Sequence, residues 1–253
     1  ITFPFPKLLE LTCMGFFFNN FMPTSIGGDI IKAYYVGKIT HRRAGSYVSV
    51  FMDRFTGLFS FAGIGLIALL ASWRTVEETA AKTAVLMFVL ACIFAAVISL
   101  NAKAAKIVTN ILSKIRAKNI GEKLLDIYNM LHNYKNKKNI LVKTVCMSAV
   151  SQIFYFITIY FLFKAVRLDI SFKYILLIMP VVSVISLLPS LGGLGIREGA
   201  IVAFFGPLVG AEKAFGVSVL LLAILFMMSL IGGIIYIISP QFRNEDIKKE
   251  SLV

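Results

Sequence analysis

Two short stretches of the sequence, PTSIGGDIIK and PSLGGLGIRE, share a spacing that suits the binding of an anion. In each, a proline is followed by two adjacent glycines, and a basic residue stands four positions after the second glycine. A phosphate binds well at the start of a helix, where free backbone N–H groups point towards it, and a cation about one turn further on strengthens the binding. The pattern therefore predicts a phosphate site with two halves. Its expected members are Gly27, Gly28, Lys32, Gly192, Gly193 and Arg197.

Four further charged residues lie close to these stretches or within apolar sequence: Asp29, Asp53, Arg54 and Glu198. An unpaired charge facing lipid is costly, so we expect these side chains to form ion pairs or to gate a polar path. Asp53 and Arg54 are adjacent and should point in different directions on a helix, and the same holds for Arg197 and Glu198. The expected partners are Asp53 with Arg197, or Arg54 with Glu198. Pairs that only hold the helices together remain the alternative.

The residues that usually carry catalysis or bind metals are sparse and scattered. The three cysteines, Cys13, Cys92 and Cys146, lie far apart in apolar segments, and His41 and His132 lie in basic loops. This spacing indicates neither a disulfide framework nor a zinc site. The nucleotide-binding pattern GxxxxGK[ST] is absent from the sequence. We therefore expect no catalytic residue, no metal and no cofactor.

The composition places this chain in a membrane. Of its 253 residues, 58% are hydrophobic and only 15% are charged, too few to cover the surface of a soluble domain of this size. Lys and Arg number 26 against 13 Asp and Glu. In a membrane protein this excess indicates cytoplasmic loops and contact with anionic lipid rather than with nucleic acid.

The helices that must position the two stretches are interrupted by them. A membrane span needs about 20 apolar residues, and the apolar pieces on either side of each break are too short to span alone. Proline and paired glycines favour such a break. We expect new helices to begin at about Ile26 and Leu194. The apolar pieces are residues 8–22 and 26–36 around the first break, and 172–188 and 201–209 around the second.

Broken backbone at membrane depth must be buried in protein or line a wet cavity, because its free N–H and C=O groups are costly in hydrocarbon. Asn19 and Asn20 precede the first break and are expected to satisfy part of its backbone. Two interrupted segments in corresponding halves indicate a site at the interface of an inverted repeat. The predicted fold is an all-α polytopic membrane bundle of about six to eight membrane segments.

The remaining apolar segments are predicted spans: residues 44–71, 83–100, 140–166 and 214–238. Residues 101–139 form a strongly basic segment, predicted to be two amphipathic helices along the cytoplasmic membrane surface. We expect a single membrane domain over residues 1–253, with a short polar tail at 239–253. The chain begins without methionine, and we expect an N-terminal truncation.

Three blocks together carry a resemblance to a known family. FFFNNFMPTSIGGDIIKAYYVGK, SVFMDRFTGLF and LPSLGGLGIREGAIVAFF resemble, in this order, the lysylphosphatidylglycerol synthase transmembrane region. This flippase-like family consists of bacterial and archaeal membrane proteins, and the resemblance runs from about Leu8 to Ile238. It implies a multi-pass protein of the cytoplasmic membrane. In multiple-peptide-resistance relatives, the region is associated with moving aminoacylated phosphatidylglycerol between leaflets.

Three functions are compatible with these observations. The first is a lipid translocase that binds the phosphate of a phospholipid, or of a related anionic lipid, between the two broken helices. The second is a membrane-embedded transferase in which Asp29, Asp53 or Glu198 acts as a base or metal ligand. The third is an accessory protein that binds an envelope-lipid biosynthetic enzyme without transporting anything. The cytosolic aminoacyltransferase domain of synthase relatives is missing from this sequence, so we expect no enzyme activity.

Overall fold

The computed structural model describes residues 4–22, 27–41, 43–73, 79–100, 138–188, 190 and 193–239. These residues form eight helices and no strand. The residues divide between two compact units that alternate along the chain. The first unit comprises Ile1–Val50, Phe161–Asp169 and Val182–Val253, and the second comprises Phe51–Tyr160 and Ile170–Val181.

The helix boundaries follow the predicted apolar segments closely. Both predicted breaks separate helices, one between α1 and α2 and the other between α6 and α7. The basic segment 101–139, except its last two residues, and the polar tail lie outside the described residues. The helices are α1 (Phe5–Phe21), α2 (Gly27–Thr40), α3 (Arg43–Ser72), α4 (Thr79–Leu100), α5 (Lys138–Ala165), α6 (Phe172–Ile185), α7 (Ile196–Val209) and α8 (Ala211–Ile238).

Three of the described helices are long and apolar enough to cross a membrane. They correspond to Gly45–Ser72 of α3, Leu141–Ala165 of α5 and Ala211–Ile238 of α8. Two shorter apolar helices, Ala81–Phe94 and Phe172–Ile185, accompany them. The prediction of an all-α polytopic membrane protein is confirmed.

In the first unit, α1 packs against both α2 and α8. A buried cluster of Leu11, Met14 and Tyr35 joins α1 to α2, and Tyr236 of α8 packs against it. The Tyr236 ring also meets Phe18 edge-to-face, with ring centroids 5.2 Å apart. These contacts hold α1 against both α2 and α8.

A single residue, Gly210, forms the corner between α7 and α8. Its φ of 90° lies in a region that a residue with a side chain rarely adopts. Its N–H donates to the carbonyl of Gly206 at 2.8 Å, and its carbonyl accepts from the N–H of Ala214 at 3.0 Å. Gly210 therefore ends one helix and starts the next, which packs α7 against α8.

In the second unit, two hydrogen bonds join α3 to α5. The Gln152 amide donates to the carbonyl of Gly57 at 2.9 Å, and the Ser60 hydroxyl donates to the carbonyl of Val145 at 3.0 Å. The rings of Phe61 and Phe156, which lie four residues after Gly57 and Gln152, also meet, with centroids 6.0 Å apart. This helix pair is therefore held by polar and aromatic contacts together.

Helix α5 ends in a turn whose left-handed residue is Arg167, with a φ of 58°. The Leu168 N–H donates to the carbonyl of Phe163 and the Arg167 N–H donates to the carbonyl of Lys164, both at 2.9 Å. These two bonds are those of the Schellman motif, which usually has glycine at the left-handed position. Beyond the helix, the exposed Asp169 carboxylate pairs with Lys164, which holds the pKa of Asp169 below its ordinary value.

Arg167→Gly is expected to raise the free energy of unfolding by about 0.5–1 kcal/mol. Glycine removes the Cβ strain of the left-handed conformation, and its greater freedom in the unfolded chain offsets part of that gain. Thermal unfolding of the detergent-solubilised protein measures the difference. Arg167→Ala is the matched control, since it removes the same charge but keeps the Cβ. An equal gain from Arg167→Ala would contradict the strain argument.

Candidate functional site

The first turn of α7 forms the best-defined half of the predicted site. Gly193 and Gly195 have φ values of 84° and 82°, and the helix begins at Ile196, two residues later than expected. The Glu198 carboxylate reaches back, and its Oε2 accepts a hydrogen bond from the Gly195 N–H at 2.6 Å. This bond is the acidic half of a capping box. An anion, supplied by the chain itself, thus already caps the start of α7.

The Arg197 guanidinium completes this arrangement. Its Nη2 donates to Glu198 Oε1 at 2.8 Å, and the two side chains are only 8% and 10% exposed. We expected these adjacent residues to pair with other segments, but they pair with each other because Glu198 folds back over the helix start. Among the described residues, Arg197 Nε has no hydrogen-bond partner although it is buried. The Nε–H of Arg197 is therefore a hydrogen-bond donor without an acceptor in the described structure.

The second half of the predicted site is the start of α2, where Gly27, Gly28 and Asp29 are all buried. The Gly28 N–H donates to Oδ1 of Asn19 at 2.8 Å, as predicted for an asparagine that satisfies the broken backbone. The Asn20 amide lies 3.5 Å from the carbonyl of Leu225 on α8. Asp29 stands in the first turn of α2, where the helix dipole stabilises a negative charge.

Lys32 lies one turn further along α2 and is half-buried. Its Cε would be 3.7 Å from a Cβ added at Gly15, so its aliphatic stem lies against α1. The stem of a lysine can cover apolar surface while its ammonium reaches a polar region. The side chain of Lys32 thus lies where α1 and α2 approach each other.

The backbone of α1 closely approaches those of two other helices, α2 and α8. A Cβ added at Gly28 would lie 1.9 Å from the backbone oxygen of Gly15, and one added at Gly232 would lie 1.9 Å from that of Cys13. At Gly233, an added Cβ would meet the ring of Phe17 at 2.8 Å. Gly15, Gly232 and Gly233 were not among the site residues predicted from the sequence. Gly232 and Gly233 form the third Gly-Gly pair of the chain, and this repetition could have indicated them.

The remaining predicted site residues are Gly192, Gly193, Asp53 and Arg54. Gly192 lies outside the described residues, whereas Gly193 is buried next to the α7 turn. Asp53 and Arg54 belong to α3 in the second unit, where Asp53 is exposed and Arg54 is half-buried. Their pairing with Arg197 or Glu198 stays a prediction. Within the first unit, the structure groups Arg197 with Glu198 and Gly195, and Lys32 with Gly15.

Comparison with known proteins places the chain in a family. The profile of the lysylphosphatidylglycerol synthase TM region matches residues 1–233. A protein described as a UPF0104 membrane protein of Methanothermobacter thermautotrophicus is 26% identical over 223 residues. The match covers 79% of this chain and 64% of that relative, and no solved structure matches. With the helices and both breaks in place, the chain belongs to the lysylphosphatidylglycerol synthase transmembrane-region family.

Proposed function

We propose that this protein is a lipid translocase that binds the phosphate of an anionic phospholipid at the starts of α2 and α7. The observation that carries the proposal is the buried Arg197, whose Nη2 holds an internal carboxylate while its Nε has no partner in the described structure. Nε and an Nη on one edge of a guanidinium form the fork that binds two phosphate oxygens. The headgroup would bind there while the acyl chains stay in the bilayer.

Glu198 acts as the gate in this proposal. Its two oxygens occupy the Gly195 N–H and the Arg197 Nη2, the donors that an incoming phosphate needs. A phosphate that displaces the carboxylate gains both donors and also the unused Nε. One anion replaces another at Arg197, so the arginine keeps a counter-ion. The displaced Glu198 carboxylate loses its cation, a cost that the additional hydrogen bond from Nε to the phosphate must offset. The Lys32 ammonium at the start of α2 supplies a second cation.

Transport fits these side chains better than group transfer. While Glu198 caps α7, both of its carboxylate oxygens are engaged, one at the helix cap and one with Arg197, so in this arrangement it is not a base. We propose that the protein is not an enzyme. We further propose a cytoplasmic-membrane location in a bacterium or archaeon, with the basic segment 101–139 on the cytoplasmic side, as its excess of Lys and Arg favours. Its partner is the anionic lipid itself.

Reconstitution into liposomes with leaflet-reporting fluorescent phospholipids tests this function. The protein is expected to speed the movement of an anionic phospholipid between leaflets. Lys32→Met keeps the stem against Gly15 but removes the charge, and should slow this movement about tenfold or more, the effect of losing one charge-assisted hydrogen bond. Lys213→Ala is the control, since it removes an exposed cation from the first turn of α8.

Two results would contradict the proposal. If the wild-type protein moves no phospholipid under any imposed ion gradient or membrane potential, the translocase function is wrong. If Lys32→Met and Lys213→Ala both match an active wild-type protein, the function stands but Lys32 is not part of the phosphate site.

A further inference from the structure

A second polar region lies along α3, within the second unit. Asp53, Thr56, Gly57 and Ser60 stand at positions i, i+3, i+4 and i+7, so they share one face of the helix. Thr56 and Ser60 are each 3% exposed, whereas Asp53 is exposed. We call these four residues, with Gln152 of α5, the α3–α5 stripe. In an apolar helix such a stripe must have polar partners.

Most of these partners come from the chain itself. The Thr56 hydroxyl donates to the carbonyl of Met52 at 2.9 Å, and the Ser60 hydroxyl donates to the carbonyls of Thr56 and Val145. The Gln152 amide nitrogen donates to the carbonyl of Gly57. Thr56, Ser60 and Gln152 therefore each donate at least one hydrogen bond within the protein.

One hydrogen-bond acceptor of the stripe has no partner among the described residues. Gln152 is 9% exposed, and its Oε1 is buried without a hydrogen-bond partner in the described part of the chain. An amide oxygen accepts up to two hydrogen bonds, and a buried one that accepts none is costly. The missing group must be a donor, since an oxygen cannot pair with another acceptor.

There is also room beside this amide. A Cβ added at Gly57 would find a single heavy atom within 4 Å, the Nε2 of Gln152 at 3.8 Å. The absent side chain leaves space next to the Gln152 amide, and Asp53 lies one helical turn before Gly57 on the same face of α3, about 6 Å along the axis. The amide nitrogen that faces this space is a donor, whereas Oε1 of the same side chain is the acceptor without a partner. An N–H or O–H group of a ligand would supply the donor that Oε1 lacks.

We propose that the α3–α5 stripe binds a hydrogen-bond donor of a lipid headgroup, an ammonium N–H or a hydroxyl, through Gln152 Oε1 with Asp53 nearby. The inference rests on the proposed function only in taking the ligand to be a lipid. The stripe is formed by residues other than those of the phosphate site, and its ligand is a lipid headgroup that carries an N–H or O–H group.

Native mass spectrometry of the full chain, with lipids in matched pairs, tests this site. Phosphatidylethanolamine is compared with phosphatidylcholine, whose choline has no N–H. Phosphatidylglycerol is compared with phosphatidylmethanol, which has the same charge but no hydroxyl. The donor-bearing lipid of at least one pair should be retained about 3- to 10-fold more strongly, the net effect of one hydrogen bond. The pair that shows the preference identifies the donor as ammonium or hydroxyl.

Two variants remove the site in different ways. Gln152→Leu removes the acceptor, and Gly57→Leu fills the adjacent space while Gln152 stays; each should abolish the preference. Gly57→Leu also raises the helix propensity of α3, so it carries the test if Gln152→Leu does not fold. Thr158→Val is the control, since Thr158 is exposed on α5 and donates only within its own helix, to the carbonyl of Phe154 at 3.0 Å.

An equal retention of both lipids in both pairs by the wild-type protein would overturn the proposal and leave water as the partner of Gln152. A preference that survives Gly57→Leu would overturn it as well. Retention at equilibrium requires no transport, so the two proposals fail separately. A wild-type protein that moves no lipid but keeps the preference contradicts the translocase function alone.

Discussion

Arg197→Met is expected to lower the free energy of unfolding by about 3–5 kcal/mol, because it leaves the Glu198 carboxylate buried without its cation. Arg197→Met combined with Glu198→Gln should recover most of this loss. Glutamine keeps the hydrogen bond to the Gly195 N–H, as it does at the same position of a capping box, and no buried charge remains. Thermal or denaturant unfolding in detergent compares the wild-type protein with the two variants.

The double variant also separates folding from ligand binding. It should be nearly as stable as the wild-type protein and yet move anionic phospholipid at least about tenfold more slowly, since the guanidinium fork is gone. Glu198→Gln alone completes the cycle: it keeps Arg197 and the helix cap but leaves the guanidinium buried without its anion, so it should also be less stable than the double variant. If the double variant is as unstable as Arg197→Met, the ion pair is not the cause of the loss. If it transports at the wild-type rate, Arg197 does not bind the phosphate.

Gly28→Ala is expected to lower the free energy of unfolding by at least about 3 kcal/mol, because its Cβ would lie 1.9 Å from the backbone oxygen of Gly15. Backbone atoms cannot turn aside as a flexible side chain can, so α1 and α2 must separate. This movement also breaks the hydrogen bond from the Gly28 N–H to Asn19. We expect lipid movement to be lost together with stability, measured by unfolding in detergent and by the liposome assay.

Gly216→Ala is the matched control for this substitution. Gly216 lies inside α8 in the same unit, and a Cβ added there meets no atom within 4 Å. Alanine at this position should stabilise the protein by about 0.5–1 kcal/mol, since glycine inside a helix is less favourable than alanine. Opposite signs at the two positions would show that the close approach, and not the loss of a glycine, destabilises Gly28→Ala. A similar small gain at both positions would contradict the tight α1–α2 contact.

The helices and their breaks were predictable from the sequence because they depend on local chemistry. Hydropathy over about 20 residues indicates a span, and proline with paired glycine indicates where it ends. The predicted start of α2 at Ile26 differs from the observed Gly27 by one residue. The start of α7 differs by two, because Gly193 and Gly195 both adopt positive φ before the helix begins.

The partners of the charged residues were not predictable in the same way. Arg197 and Glu198 were expected to diverge as neighbours on a regular helix. They meet because Glu198 turns back to cap Gly195, which depends on the conformation of the preceding glycines. Likewise, the contact of Gly28 with Gly15 depends on the angle at which α1 crosses α2, and no spacing within one helix encodes that angle.

The sequence by itself therefore determined the membrane environment, the all-α architecture, the two breaks and the residue types of the proposed phosphate site. These properties follow from composition and from the order of residues within single helices. Only the tertiary structure decided that an internal carboxylate occupies the start of α7, that glycine contacts hold α1 between α2 and α8, and that Gln152 keeps an unused acceptor. The physical reason is that hydrogen bonds and close packing between segments depend on distances in space, which separation along the chain does not specify.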